Sequence, residues 1–448
     1  MIAAIVEACA HPLRTDLVHN VAERLSDIDR PDAIDKLIDR LSDLDSINVD
    51  RLAGLARWLC NFGVHRGQVK SGIGLLGVSG SAKDADLLGK LGLLDELTLY
   101  AVVALRRLLP DWEHEIFDLA KHVDGWGRVE AIEFLRGAED PAVKDWLLRI
   151  GYNIPGNEEE VALNAATFGG LAATLQGEVD EELLDHIGEI LGTLATAEHG
   201  GTMADYESGG LAMELYLSQI ATMPKTIARL RIITFLRDYL EGDAQYNSKI
   251  EPAIRASLRQ SAVELLSSSD WARIVEASLH SPDFEIVRQV VELAPSYGLD
   301  RAPIVFRWLS ERERDSYLWW LAAHDADLPT LLELVDVAEK LFDFDDLPSG
   351  PRLSLGLGPA FAASVCLQTL LQELGRFPGQ GWKAIQYGLF SDLFRSRNVS
   401  ARALEKWTAS DFPKGAAAIL AGLAAAEPDD ELKARLADLS TRAGSIDD

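Results

Sequence analysis

The stretch from Lys121 to Gly151, KHVDGWGRVEAIEFLRGAEDPAVKDWLLRIG, decides the fold, because it contains two short amphipathic helices joined by a tight turn. Apolar residues recur at three- and four-residue spacings on one face of each helix. Asp140-Pro141 opens the second helix, since Asp caps helix starts and Pro loses no hydrogen bond in the first turn. Gly137 supplies the break before it. Two such helices have to lie antiparallel and cover their remaining apolar surface with a neighbouring pair.

The remaining sequence repeats this pattern. Amphipathic segments follow one another along the chain, separated by Gly, Pro or polar turns, and no segment alternates apolar and polar residues over more than four positions as a half-buried strand does. At the roughly 40–47 residues per pair of known helical arrays, the chain holds about ten pairs. We therefore predict an all-α fold, a right-handed α-solenoid of stacked antiparallel helix pairs.

The length of the chain requires an elongated or divided structure. Its 448 residues exceed the ~250–300 at which a single hydrophobic core stops growing. The polar loop GDAQYNSK separates two predicted helical-repeat halves, residues 1–240 and 251–448. The segment 342–358, FDFDDLPSGPRLSLGLG, is rich in turn residues, and we predict a loop excursion there.

The charge of the chain restricts its partners. There are 71 acidic and 43 basic residues, which gives a formal net charge of −28. A surface this acidic repels phosphate backbones and anionic lipid, and it attracts basic molecules. We expect a protein or peptide partner of basic character, no nucleic acid and no membrane. The oligomeric state stays open.

The cysteines and the first residues indicate a cytoplasmic protein. Cys9, Cys60 and Cys366 are odd in number, far apart and set among apolar residues, as reduced core thiols are. The opening MIAAIVEACAHP lacks a basic n-region and carries Glu7 within its apolar run, which predicts a helix instead of a signal peptide. The uncharged stretch that begins at residue 353 contains Pro and several polar residues, so we predict a buried helix there and not a membrane span.

One pattern is typical of a dinucleotide site. Gly72, Gly74 and Gly77 spell G-x-G-x-x-G, but such a site needs a strand directly before the glycines, and HRGQVK at 65–70 is not a strand pattern. We interpret these glycines as small residues that allow close helix packing. The sequence contains no G-x-S-x-G, H-E-x-x-H or Walker pattern. It therefore assigns no catalytic residue, and we expect no cofactor and no metal.

Two turns carry candidate partner-binding residues. In the first, Asp124, Trp126 and Arg128 surround two glycines that let the backbone approach another group closely. Asp124 is placed to cap the helix or to pair with Arg128 four residues later. The second turn contains Arg397 and Trp407. Each turn has two interpretations: a corner that faces a partner, or an internal corner in which Trp is buried and Arg bridges to the next helix pair.

A third candidate surface mixes aromatic and cationic side chains around Arg314, Trp319 and Trp320. Such mixtures occur at protein-binding hot spots and at sites that stack on nucleic-acid bases. Adjacent residues on a helix point ~100° apart. We therefore predict that one of the two tryptophans is core and the other half exposed.

Charged residues cluster at four other places. Residues 225–259 hold seven Lys and Arg against four acidic residues, either as a basic stripe or paired with acidic helices nearby. Acidic groups at 158–160, 180–182 and 429–431 stand at predicted helix starts, where carboxylates cap the helix and complement its dipole.

Two helices resemble the second helix of a HEAT-type repeat. In that pattern an Arg near the helix start is followed by small and then large apolar residues, as in Arg128, Ala131 and Leu135 and again from Arg397 to Leu404. The resemblance implies a helical-repeat fold of the HEAT or armadillo kind, and it covers about a third of the chain.

Four further segments, RGQVKSGIGLLG, LDELTLYAVVAL, GWGRVEAIEFL and WLLRIGYN, are similar to a family of bacterial helical-repeat proteins, some of which carry the label limonene hydroxylase. The residues do not support that activity for this chain. A haem monooxygenase needs a cysteine thiolate in a suitable loop, and Cys366 lies within a uniformly apolar helical pattern.

Three hypotheses for the function follow. The first is a non-enzymatic interaction or scaffold protein that binds a partner on the concave face of an acidic solenoid. The second is an enzyme with its active site in a groove near Trp126 or Trp319. The third is a helical-repeat nucleic-acid-binding or glycosylase-like protein, which the charge of the chain disfavours.

Overall fold

The computed structural model describes residues 1–11, 14–28, 30–42, 44, 47–242, 250–324, 326–342, 344, 347–354, 356 and 358–444. The chain divides into two compact units, Met1–Trp271 and Ala272–Asp448. Each unit is built of helices, so the all-α prediction is confirmed for the described residues. The boundary predicted from the sequence lay earlier in the chain, in the loop before residue 251.

The helices of the first unit, in chain order, are α1 (Ile2–Ala10), α2 (Thr15–Leu25), α3 (Pro31–Ser42), α4 (Val49–Phe62), α5 (Arg66–Ser79), α6 (Ala85–Gly92), α7 (Asp95–Leu108), α8 (Trp112–His122), α9 (Gly125–Glu133), α10 (Pro141–Trp146), α11 (Glu158–Phe168), α12 (Leu171–Thr174), α13 (Glu181–Thr196), α14 (Gly209–Ile220), α15 (Ile227–Glu241) and α16 (Pro252–Leu266). A π-helical turn, Leu147–Gly151, follows α10.

Helix α17 (Asp270–Leu279) contains the boundary between the units. The helices of the second unit are α18 (Phe284–Val290), α19 (Ala302–Glu311), α20 (Ser316–Ala323), α21 (Leu328–Phe342), α22 (Ala362–Leu374), α23 (Trp382–Phe390), α24 (Phe394–Leu404), α25 (Ala416–Ala426) and α26 (Asp430–Gly444).

Successive helices in each unit pack side by side. In the first unit, α5, α7, α9, α11, α13 and α15 each contact the next member of the series, and we call this series the central row. Other helices cover it: α4 packs on α5, α6 on α7, α8 on α7 and α9, and α16 on α15. The second unit has a similar series, α20, α22, α24 and α26, with α21, α23 and α25 packed against it. These sequential contacts are what the repeated amphipathic pattern predicts.

Local signals place many helix ends correctly. Helix α10 begins at Pro141, and the Asp140 carboxylate accepts a hydrogen bond from the Ala142 amide at 2.9 Å. Gly137 has a φ of +84°, a conformation that favours Gly. The acidic group at 180–182 starts α13, where the Asp180 carboxylate accepts from the Leu183 amide. These predictions are confirmed. Gly170, whose φ is +66°, separates α11 from α12.

The three glycines of the G-x-G-x-x-G pattern lie inside α5, away from any turn. A Cβ added at Gly72 would lie 2.8 Å from the Cβ of Leu59, and one at Gly77 would lie 3.0 Å from the Cα of Ala104. Helix α5 therefore approaches α4 and α7 as closely as backbone allows. The interpretation of these residues as packing glycines is confirmed.

This packing predicts opposite effects for two Gly→Ala substitutions. We expect Gly72→Ala to lower the free energy of unfolding by about 1–3 kcal/mol, because the new methyl group overpacks the α4–α5 contact. Gly54→Ala on the neighbouring helix α4 meets nothing within 4 Å, so its higher helix propensity should raise the free energy of unfolding by up to ~1 kcal/mol. Urea denaturation followed by circular dichroism measures both. Equal effects of the two substitutions would contradict close packing at Gly72.

The three cysteines are buried and free, as predicted. Burial raises the pKa of the Cys60 thiol to about 12, and the pKa of the Cys366 thiol to about 12. Thiols in such surroundings stay protonated and react slowly. Within the described ranges every helix is too short or too polar to cross a bilayer, α22 included.

The described part of the segment 342–358 is tied to the chain that precedes α24. The Gly350 amide donates to the Phe390 carbonyl at 3.0 Å, and the Asp392 amide donates to the Pro348 carbonyl at 3.0 Å. This pairing forms isolated β-bridges without a continuous strand. Residues 343, 345, 346, 355 and 357 of the predicted excursion lie outside the described residues.

Candidate interaction surface

The starts of α5, α7 and α9 lie next to one another along one side of the central row. An ion pair of 2.7 Å joins Arg66, the first residue of α5, to Glu96 in the first turn of α7. The carboxylate of Asp95, the first residue of α7, accepts a hydrogen bond from the Gly127 amide in the first turn of α9. The loops that precede these three helices are therefore neighbours in space.

These loops expose large apolar side chains. Val64 is 83% exposed and Phe62 is 66% exposed, more than any other large apolar side chain in the described parts of the chain. Leu93, Leu94 and Trp126 are also about half exposed or more. We call the five side chains together the apolar edge: Phe62, Val64, Leu93, Leu94 and Trp126.

The apolar edge is held in place by contacts beneath it. The ring of Phe62 lies 6.1 Å from that of Trp58, which contacts His19 edge-on at 5.5 Å. A Cβ at Gly127 would lie 2.6 Å from the Thr98 hydroxyl oxygen, so the backbone beside Trp126 lies directly against α7. An ordered apolar surface loses little conformational entropy when a partner binds.

The sequence-predicted corner at Asp124, Trp126 and Arg128 forms part of this edge. The Asp124 carboxylate and the Arg128 guanidinium form an ion pair of 2.6 Å, as predicted. Arg128 also donates to the carbonyls of Val123, at 2.8 Å, and Asn153, at 3.4 Å, and its side chain is mostly buried. Arg128 thus positions the loop, and Asp124 and Trp126 face solvent.

The two tryptophans at 319 and 320 differ in burial, as predicted. Trp319 has no exposed surface, and its indole N–H donates to the Glu313 carbonyl at 2.7 Å. Trp320 is 37% exposed and stacks on the His324 ring at a centroid distance of 4.9 Å. Arg314 is exposed on the loop between α19 and α20. Only Trp320 and Arg314 of this group are available to a partner.

The corner at Arg397 and Trp407 faces inward. Trp407 is 1% exposed and packs between Trp382 and Phe412. Arg397 is 2% exposed and forms an ion pair of 2.7 Å with Glu427, which lies between α25 and α26. This is the second of the two interpretations given for this turn, an Arg that bridges buried elements.

The basic segment 225–259 pairs with acidic neighbours inside the first unit. Arg229 is 2% exposed and bonds to Asp185 at 2.6 Å and to Glu181 at 2.9 Å, both on α13. Lys225 lies 3.3 Å from Asp270. The intramolecular alternative therefore accounts for these two cations, and Lys249 lies outside the described residues.

The titratable groups near the apolar edge bear on the enzyme hypothesis. Burial, together with the charge of Glu133, raises the pKa of Glu130 on α9. His122 and Asp124 have a His-x-Asp spacing, but the His122 Nδ1 lies 2.7 Å from the Asp118 carbonyl. In the described ranges no three His, Cys, Asp or Glu side chains are grouped to hold a metal ion.

Among the members of the apolar edge, Trp126 was predicted from the sequence and the other four were not. Phe62 and Val64 flank Gly63 in NFGVH, and Leu93-Leu94 stand in a turn where polar residues are usual. Apolar residues in the α4–α5 turn and in the α6–α7 turn were the available signal. Their exposure depends on how the loops stack, which local periodicity does not report.

Comparisons with known proteins leave the family open. No family model matches the chain, and no curated protein matches it. Among solved structures, the chain is similar to a protein described as a circular tandem repeat protein with novel repeat topology and enhanced subunit contact surfaces. The identity is 16%, the alignment covers 98% of this chain and 93% of that chain, and the TM-score is 0.17. A likeness at that score supports no conclusion about the fold or function of this chain.

Proposed function

We propose that the protein is a non-enzymatic interaction or scaffold protein, a right-handed HEAT-like solenoid whose first unit binds a protein partner through the apolar edge. The observation that carries this proposal is the exposure of five large apolar side chains in three adjacent interhelix turns and at the helix ends beside them. Soluble monomers rarely expose contiguous apolar surface of this kind, and such patches mark sites of interaction. Binding on the concave face stays a prediction.

The chemistry of the apolar edge suits a protein segment with apolar and basic side chains. Trp is among the residues that dominate binding energies at protein interfaces. The carboxylates of Glu96 and Asp124 flank the exposed residues and are themselves about half exposed or more. With a net charge of −28, the chain attracts basic partners over a distance and orients them before contact.

Two matched valines test this proposal. Val64 lies in the loop after α4, and Val49 lies at the start of the same helix, ~20 Å away for 14 residues. Both are exposed. We expect Val64→Glu to weaken partner binding at least tenfold, because it places a charge within the apolar contact, and Val49→Glu to leave binding unchanged.

The measurement is quantitative mass spectrometry of proteins that co-purify with each variant from the source cells, followed by calorimetric titration of the protein recovered. Circular dichroism confirms that both variants are folded. Retention of the same partner by Val64→Glu would contradict the proposal, as would self-association of the wild-type chain through these loops.

A further inference from the structure

A second surface of the first unit, along helix α16, is largely exposed to solvent. Helix α16 has 15 residues, but only Leu258 and Ala262 among them are buried. Ile254, which lies on the side of α16 that faces α14, is 44% exposed. Helices of globular proteins normally bury one whole apolar face. On α16 the face next to α14 remains accessible.

The accessible face of α16 and the neighbouring face of α14 form a groove with a volume of about 580 Å³. Helix α16 contributes Ile254, Ser257, Ser261 and Glu264 among others. Helix α14 contributes Glu214 and Leu217, and Ala221 follows directly after its last residue. The residues from α16 follow one another at three- and four-residue spacings, as do those from α14, so each set lies along one face of its helix.

The floor of the groove suits a helix. Small side chains at Ser257, Ser261 and Ala221 let another backbone approach closely, and Leu217 and Ile254 offer apolar contact. Helix-in-groove recognition places the apolar face of an amphipathic helix in such a depression. None of the residues that line the groove is basic.

The two carboxylates lie at different levels along the groove. A Cβ at Gly210 on α14 would lie 3.8 Å from a side-chain carbon of Ile250, just before α16, so the two helices start side by side. This places Glu214 near the level of Ile254, and Glu264 lies ten residues further along α16. Ten helical residues span ~15 Å. The Glu214 carboxylate forms no hydrogen bond or ion pair with another described residue, and the Glu264 carboxylate accepts one hydrogen bond from the Gln260 side-chain amide.

We infer that the α14–α16 groove binds an amphipathic helix of a partner protein that carries two basic residues three turns apart. Basic residues at positions i and i+11 lie ~20° apart around a helix and ~16 Å apart along it, close to the ~15 Å that separates the levels of Glu214 and Glu264. Apolar residues at i+3, i+4 and i+7 fall between them, above Leu217 and Ser257. This groove is separate from the apolar edge, and the inference does not depend on it.

Two model peptides test the inference on the full chain. Both are 18-residue capped amphipathic helices with Leu at i+3, i+4 and i+7 and a fluorescent label. One carries Lys at i and i+11, and the other carries Glu there. We expect the Lys peptide to bind the wild-type chain, with affinity that falls as salt is added, and the Glu peptide to bind at least tenfold more weakly, as measured by fluorescence anisotropy.

Charge reversal locates the site. The double substitution Glu214→Lys with Glu264→Lys should weaken binding of the Lys peptide at least tenfold and allow the Glu peptide to bind. The matched control, Glu23→Lys with Glu178→Lys, makes the same change in net charge at exposed positions outside the groove. It should change the affinity less than twofold. Ser261→Trp, which fills the groove, should abolish binding without lowering the unfolding temperature.

Three results would overturn the inference. The first is equal binding of the two peptides, or binding of neither, to the wild-type chain. The second is an equal effect of the groove and control charge reversals. The third is sedimentation of the wild-type chain as a dimer that the groove reversal dissociates, since a second copy would then occupy the groove.

Discussion

Replacing Arg397 with Met is expected to destabilise the second unit by about 3–5 kcal/mol, the range for breaking a buried ion pair from one side. Both Arg397 and Glu427 have side chains at most 2% exposed. The guanidinium donates to both oxygens of the Glu427 carboxylate, at 2.7 and 2.9 Å. Its loss would leave that charge buried without a partner.

Arg397 also joins three backbone segments. It donates to the carbonyls of Ser391 at 3.1 Å, Asp392 at 3.0 Å and Arg352 at 2.9 Å. The segment 347–354 and the chain before α24 are thus fastened to the turn between α25 and α26 by one side chain. Met has a similar length but no donor, so the three carbonyls would lose these hydrogen bonds as well. The Asp392 carbonyl would keep the bond that it accepts from the Arg352 amide at 3.2 Å.

Urea denaturation followed by circular dichroism measures this loss, and hydrogen exchange of α22 and α24 assigns it to the second unit. Arg435→Met is the control, because the Arg435–Glu405 pair is partly exposed and should contribute at most ~1 kcal/mol. The double variant Arg397→Met with Glu427→Leu should recover part of the loss, since no charge is then buried. A single Arg397→Met variant as stable as wild type would contradict this role.

Trp319→Ala is expected to cost about 3–5 kcal/mol, because it removes a fully buried indole and leaves a cavity. The ring lies 5.6 Å from that of Phe342 on α21, and the indole N–H satisfies the Glu313 carbonyl. Both contacts disappear in the variant. The helices α20 and α21 would lose the side chain that fills the space between them.

The adjacent residue provides the control. Trp320→Ala removes a ring of the same size that is partly exposed and stacks on His324 and Tyr317. We expect it to cost about 1 kcal/mol. Thermal and urea unfolding of the two variants should give a clearly lower free energy of unfolding for Trp319→Ala than for Trp320→Ala. Similar losses would mean that burial of Trp319 is not what stabilises this part of the unit.

The burial of one tryptophan and the exposure of the other follow from helical geometry and were predictable. So were the cap at Asp140 and the close packing at Gly72, because each depends on residues a few positions apart or on a residue's own size. The partner of Arg397 was not predictable. Glu427 is 30 residues away, and any of the 71 acidic residues satisfies the same sequence rule.

The apolar edge, like the partner of Arg397, could not be predicted from the sequence. The sequence of each of its three loops, taken alone, does not show which other loops lie beside it. The stacking of α5, α7 and α9 brings Val64, Leu94 and Trp126 into one surface. The groove between α14 and α16 is likewise formed by helices that are separate in the sequence. Local periodicity predicts the helices, and the packing between them creates the surfaces.

The bonds between successive helix starts affect how the first unit opens. In a simple helical array a terminal pair frays without disturbing the next. Here the Asp95 carboxylate of α7 holds the first turn of α9, and Arg66 of α5 holds Glu96 of α7. Transient unfolding of α7 would therefore break the hydrogen bond that the Gly127 amide of α9 donates to Asp95. The three helices should therefore exchange their amide protons as one cooperative block, with a common opening free energy.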